Sequence, residues 1–217
     1  SFISDDEFKS VGAEIIADTK TVFLNADLVL KVNSPIMNQE LDTHEADLMK
    51  EGSAFISFFQ TTIEKEAVQQ LTSKKITGFS MHLVPRTTLA QKMDALSSQS
   101  NIAGYKAVLV GASHIGKYMP LLMTAAGTIQ PAKVLIIGAG VAGLQAIATA
   151  KRLGAQVEAF DVRPVVKEQV ESLGAKFVEV PADENEGVGE GGYAKETSDQ
   201  YKQRQAELLK VHIAKSD

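Results

Sequence analysis

Residues 134–161, VLIIGAGVAGLQAIATAKRLGAQVEAFD, join an apolar run to three closely spaced glycines, Gly138, Gly140 and Gly143, and close on an acid, Asp161. Each of these residue types has a mechanical task in holding a diphosphate. Gly138 permits a tight turn, Gly140 lets the backbone come close to a pyrophosphate, and Gly143 lets a helix pack tightly on a strand. The amide hydrogens that open the following helix, that of Val141 among them, would turn their positive dipole toward phosphate oxygens. Asp161 would accept hydrogen bonds from the hydroxyls of an adenosine ribose and repel a 2′-phosphate, which favours NAD(H) over NADP(H). Val162 and Arg163 are grouped with it as cofactor-binding, and the arginine, able to accommodate a 2′-phosphate, softens that preference. A GxGxxG alone is weak, because glycine serves many kinds of turn. An α/β domain could use these glycines for helix packing only, with Asp161 a solvated strand end. Here strand, turn, helix and acid coincide, and the dinucleotide reading is preferred.

The elements that must position these residues are legible from alternation. DLVLKV (27–32), SAFISFF (53–59) and KITGFSM (75–81) read as strands, separated by the polar or amphipathic runs IMNQELDTHEADLMKEG and TTIEKEAVQQLTSK. Strand and helix signals in turn imply parallel βαβ units. Ahead of them, Ser4 and Glu7 form a capping-box pattern and Gly12 a stop, which predicts one short helix. After Thr87 the pattern loosens into a polar stretch. Residues 102–129, rich in apolar and small side chains, read as a long buried helix, broken near Pro120, that joins two lobes. The alternation then restarts: strand 134–138, helix 141–153, strand 156–160, helix 164–173 and strand 176–180. PADENEGVGEGGYAKE is too polar and glycine-rich to pack a core and predicts a mobile surface loop. An amphipathic helix is expected over 195–213. The expected fold is therefore α/β in two lobes of parallel βαβ units: an N-terminal lobe over 1–100, a connecting helix over 101–130, and a Rossmann lobe over 131–217.

Composition narrows the function. The 217 residues are 44% hydrophobic, enough to bury one substantial core or two smaller ones. The 22 basic and 27 acidic side chains are mixed along the chain, which offers no basic footprint for nucleic acid. With no cysteine, and with His44, His82, His114 and His212 far apart in sequence, no metal site is expected. The opening SFISDDEF lacks the basic and apolar regions of a signal peptide, and no segment reaches the roughly 18 uninterrupted apolar residues of a membrane span. The chain is expected to be soluble in itself.

The run GVAGLQAIATAKRLGAQVEAFDVRP, continuing into KEQVESLGAKFVEV, resembles the NAD(H)-binding domain of the proton-translocating NAD(P) transhydrogenases, whose nearest relatives are alanine dehydrogenases. ALSSQSNIAGYKAV (95–108), MTAAGT (123–128) and GGYAKE (191–196) extend the resemblance over most of the chain. It implies two α/β lobes with the cofactor between them, commonly in a homodimer. It also implies that the pattern R....Q..D..S, here Arg86, Gln91, Asp94 and Ser97, orients the nicotinamide: Gln91 and Ser97 can hold a carboxamide, while Arg86 and Asp94 can pair with each other or with the cofactor. Without the resemblance that stretch would read as a solvated helix and turn. Tyr193 matches a tyrosine of a loop that closes over nucleotide, with Gly191 and Gly192 as its hinge. The reaction implied passes hydride from NADH to NADP⁺ on a separate NADP(H)-binding domain, coupled to a membrane proton-channel domain. This places the chain as a soluble domain peripheral to a membrane complex. The same resemblance leads one to expect further strands before Ser1 and beyond Asp217.

The alternatives are an alanine dehydrogenase and a non-catalytic NAD(H)-binding module. The former need a general acid or base after the strand corresponding to SAFISFFQ, where this chain has Gln60, which cannot serve. Lys31 matches the lysine they use for the substrate carboxylate, and His82 is a conceivable substitute base, though a histidine with no visible partner is more simply structural.

Overall fold

A computed structural model describes residues 2–180 and 199–217, which divide into two compact units, Ser1–Leu96 and Ser97–Asp217. In the first, α1 (Asp5–Ser10) starts at Ser4 with a complete capping box: Ser4 accepts from the Glu7 amide, and the Glu7 carboxylate accepts from the Ser4 amide at 2.7 Å. Three parallel strands follow, β1 (Leu28–Asn33), β4 (Ala54–Phe58) and β5 (Thr77–Ser80), in the order β1-β4-β5. Central β4 alternates, with Phe55 and Ser57 buried, and Phe55 packs with Phe23, Val29, Met49, Phe59, Leu71 and Ile76. The crossover into β5 is α4 (Lys65–Ser73), whose Ala67 and Leu71 fall one turn apart on the buried face.

Two stretches differ from the expected pattern. A second helix, α2 (Thr19–Asn25), precedes β1; Asp18 caps it by accepting from the Thr21 amide at 2.8 Å. The run 36–52 is not a crossover helix. It forms an antiparallel hairpin, β2 (Met37–Asn38) and β3 (Thr43–His44), and then a single helical turn, α3 (Glu45–Leu48). Asn38 decides this locally, its side-chain oxygen accepting from the Glu40 and Leu41 amides at 3.0 Å each, and Asp42 takes the left-handed φ of 46° that the turn needs.

The second unit opens on α5 (Ala95–His114), which begins at the last residues of the first. The expected long buried helix over 101–130 is corrected here. The helix stops at His114, buries only Gly104 and Val108, and residues 122–129 form the hairpin β6 (Leu122–Thr124) and β7 (Gly127–Ile129). Gly127 at φ 114°, and Thr124 Oγ1 accepting from the Ala126 amide, turn the chain back where apolar content alone suggested continuation. The alternation beyond it forms as read: β8 (Lys133–Ile137), α6 (Val141–Arg152), β9 (Gln156–Phe160), a 3-10 turn at Pro164–Val166 leading into α7 (Lys167–Ser172), and β10 (Lys176–Val178), with α8 (Asp199–Ile213) at the end. The sheet is parallel in the order β10-β9-β8. Ile147 and Val170 are wholly buried between helices and sheet, each such side chain worth about 1.5–3 kcal/mol of transfer free energy. Tyr201 of α8 closes a smaller cluster with Phe160, Val178 and Val180. The loop expected to be mobile lies outside the described residues. Among those described, no helix is long and apolar enough to cross a membrane.

Candidate functional site

Of the three glycines at the β8–α6 junction, the last of them inside α6, two are required by the protein's own structure, for different reasons. Gly138 adopts φ 96°, which an L side chain rarely takes, and its amide donates to the carbonyl of Phe160 at the end of β9, at 2.7 Å. Gly143 is required by packing: a Cβ there would lie 1.7 Å from the Gly138 carbonyl oxygen. Gly140 meets neither constraint. Its backbone is extended, and the nearest atom to an added Cβ would be Arg163 Nη2 at 3.8 Å. A Cβ at Gly140 would make only ordinary contact with the Arg163 guanidinium, so neither backbone strain nor packing within the protein requires glycine there.

Gly140 is also the N-cap of α6, so no side chain caps the helix, and no acid lies in its first turn, while Lys151 and Arg152 sit in the last. The positive end of a 12-residue helix is thus left without a side-chain cap, with Val141 exposed. The direction of that end is fixed by a contact that the glycine motif does not announce. Gly104 of α5 lies so close to α6 that a Cβ would stand 2.0 Å from the Ala142 carbonyl oxygen, and Asn101 donates to Gln145 at 3.1 Å. The visible signal is the small residue inside SNIAGYKAV, in the middle of an otherwise strong helix.

Asp161 follows β9 directly and is 8% exposed. Its Oδ2 accepts from the Ala139 amide at 2.7 Å and from Arg163 Nη2 at 3.0 Å; its Oδ1 accepts from the Arg163 amide at 2.8 Å and from Arg163 Nε at 2.9 Å. Burial alone would raise this carboxyl, but the Arg163 side chain and amide and the Ala139 amide outweigh it, so the group is held below the ordinary aspartate value. The hydrogen bond to Asp161 in turn raises Arg163. Val162 turns its side chain the other way, against the cluster of Phe160, Val178, Val180 and Tyr201.

The remaining expected residues fall elsewhere. Arg86 and Gln91 are exposed and, with half-buried Asp94, belong to the first unit, whereas half-buried Ser97 opens the second; Gln91 starts a 3-10 turn, and Asp94 is its C-cap just before α5. Gly192 and Tyr193, like Gly191, lie outside the described residues. Lys31 is ion-paired with Glu45, which also accepts from the Ile36 amide at 3.0 Å. Gln60 is exposed, its backbone N–H donating to the Glu64 carboxylate at 2.5 Å, and the His82 ring stands edge-on to Phe58 with centroids 6.2 Å apart. Among the described residues, no three or more His, Cys, Asp or Glu side chains are grouped to hold a metal ion.

Residues 107–217 match the family model described as Alanine dehydrogenase/PNT, C-terminal domain, and residues 1–103 match its N-terminal counterpart. The chain belongs to the alanine dehydrogenase/PNT family. Within it, the chain is 48% identical over 217 residues to an NAD(P) transhydrogenase alpha-subunit protein of Rhodospirillum rubrum, covering 99% of this chain and 56% of that protein. It therefore spans little more than half the length of this relative. A solved transhydrogenase from Sinorhizobium meliloti gives a TM-score of 0.72 at 46% identity, over 82% of this chain and 52% of that one. A solved L-alanine dehydrogenase gives 0.64 at 26% identity, over 81% and 48% respectively. These family structures share the mixed α/β architecture with parallel sheets described above.

Proposed function

We infer that this chain is the NAD(H)-binding part of a proton-translocating NAD(P) transhydrogenase, handing hydride between NADH and NADP⁺ held on a partner domain. The observation that carries this reading is the N-terminus of α6, capped by Gly140 and so by no side chain, with the carboxylate of Asp161 anchored to the same turn through the Ala139 amide. Gly138, Gly140, Val141 and Gly143 would line the pyrophosphate, and Asp161 would hold the adenosine ribose, with Val162 and Arg163 beside it in the chain, the Val162 side chain turned into the apolar cluster and Arg163 on the carboxylate. The assignment of Arg86, Gln91, Asp94 and Ser97 to the nicotinamide, and of Gly192 and Tyr193 to a closing loop, rests on the residue patterns. The bound nicotinamide supplies the hydride chemistry, and direct transfer between two such rings requires alignment but no protein acid or base. The partners this implies are the NADP(H)-binding domain, a membrane proton-channel domain and a second copy of the chain, with this part peripheral to the membrane.

The alanine dehydrogenase reading is less well supported. It needs a free cation for a substrate carboxylate, and Lys31 is taken by Glu45; it needs a proton carrier, and Gln60 is an amide. A pair of assays separates the readings: reduction of an NAD analogue by NADPH with an NADP(H)-binding transhydrogenase domain added, and NADH oxidation with pyruvate and ammonia. Turnover is expected in the first alone. Turnover only in the second would establish the dehydrogenase, and NADH binding with turnover in neither a binding module. Asp161→Ala should weaken NADH by about tenfold, the worth of one hydrogen bond to a charged group.

A further inference from the structure

The Asp161 carboxylate has no acceptor capacity left. A carboxylate offers about four lone-pair sites, and in this structure each oxygen already accepts two hydrogen bonds. Two of the four come from the Ala139 and Arg163 amides, which the turn and the chain direction fix. The other two come from the Arg163 guanidinium, whose long side chain can rotate. A ribose diol seeking this carboxylate must therefore take the place of Nε or Nη2. The same guanidinium is the group nearest a Cβ placed on Gly140, with Nη2 3.8 Å away, so once released it stays tethered beside the turn. While paired, it also cancels most of the negative charge that would reject a 2′-phosphate.

Building on the dinucleotide reading, we propose that Arg163 is a gate at the ribose corner: the coenzyme's ribose displaces it from Asp161, and its charge relaxes the exclusion of 2′-phosphorylated nucleotides. The gate lowers affinity for NADH, since the binding-competent carboxylate exists only in the fraction of molecules whose fork is open. It lowers selectivity as well, since a paired aspartate repels phosphate less than a bare one.

Arg163→Gln and Arg163→Lys in the full-length protein test this, with dissociation constants for NADH and NADPH measured by calorimetry and folding checked by thermal unfolding. In Arg163→Gln, NADH should bind about threefold tighter, and the ratio of the NADPH constant to the NADH constant should rise about tenfold. Arg163→Lys keeps the cation without the planar fork, and should fall between wild type and Arg163→Gln in both quantities; it decides the matter if Arg163→Gln does not fold. Weaker NADH binding in both variants would make Arg163 a coenzyme contact and overturn the gate, as would an unchanged or lower ratio. Wild-type protein that binds neither nucleotide would overturn the dinucleotide reading itself, and the gate with it; wild-type binding with an unmoved ratio overturns the gate alone.

Discussion

The two units carry the same motif, three parallel strands with crossovers, and the chain leaves the first strand of each sheet in a different way. In the first, the chain leaving β1 enters a hairpin and a four-residue helical turn, and the nearest buried acid, Glu45, binds Lys31 and the Ile36 amide to hold that crossover in place. In the second, the chain leaving β8 turns through Gly138 straight into a 12-residue helix whose cap has no side chain. The sheet edge is similar in both. What differs is whether a helix starts at once and whether its cap is a glycine, since a side-chain cap would already satisfy the first amides. The acids differ in the same sense: Glu45 is tied to a buried crossover, whereas Asp161 is held by two fixed backbone amides and one movable arginine side chain.

The largest effect that would sharpen this contrast is expected at the second unit's glycine. Gly143→Ala puts a methyl group 1.7 Å from the Gly138 oxygen and should cost about 3 kcal/mol or more, read by urea unfolding, with hydrogen exchange accelerated in β8 and α6 rather than in β1 and β4. A variant of near wild-type stability would show that the turn is plastic and that the contrast fails. Next comes the fork. Asp161→Asn should cost about 2 kcal/mol at neutral pH, the value of hydrogen bonds to a charged group. Because the folded carboxyl is held below its unfolded value, its contribution is fully present above about pH 4 and is lost as pH falls through the folded value. The stability gap between wild type and Asp161→Asn should therefore close in acid, and a pH-independent gap would show that the carboxylate is not stabilised by folding. Smallest is the first unit's glycine in β5. Gly78→Ala would meet only Leu71 Cδ1 and Phe59 Cζ, both at 3.4 Å, and should change stability by less than about 1 kcal/mol.

How far the sequence can be read depends on the range of the forces involved. Strands β8, β9 and β10 and helix α6 are legible because period, glycine stops and caps are local. The stretch 36–52 misleads because its apolar spacing suits a helix, while Asn38 and Asp42 commit the backbone to a turn with two side-chain hydrogen bonds. Residues 122–129 mislead because small and apolar residues serve a hairpin as readily as a helix. At the site, the three glycines and Asp161 announce themselves. The closeness of Gly104 to Ala142 does not, since it joins residues distant in sequence.

By itself the sequence determined the βαβ alternation, the position of the glycine turn and the acid that follows it, because each is set by the chemistry of neighbouring residues. Only the tertiary structure decided that a side chain fits at Gly140 and not at Gly143, that α5 aims the start of α6, and that Arg163 closes on Asp161. Those outcomes depend on distances between segments, and such distances are fixed only when the helices and the sheet pack against one another.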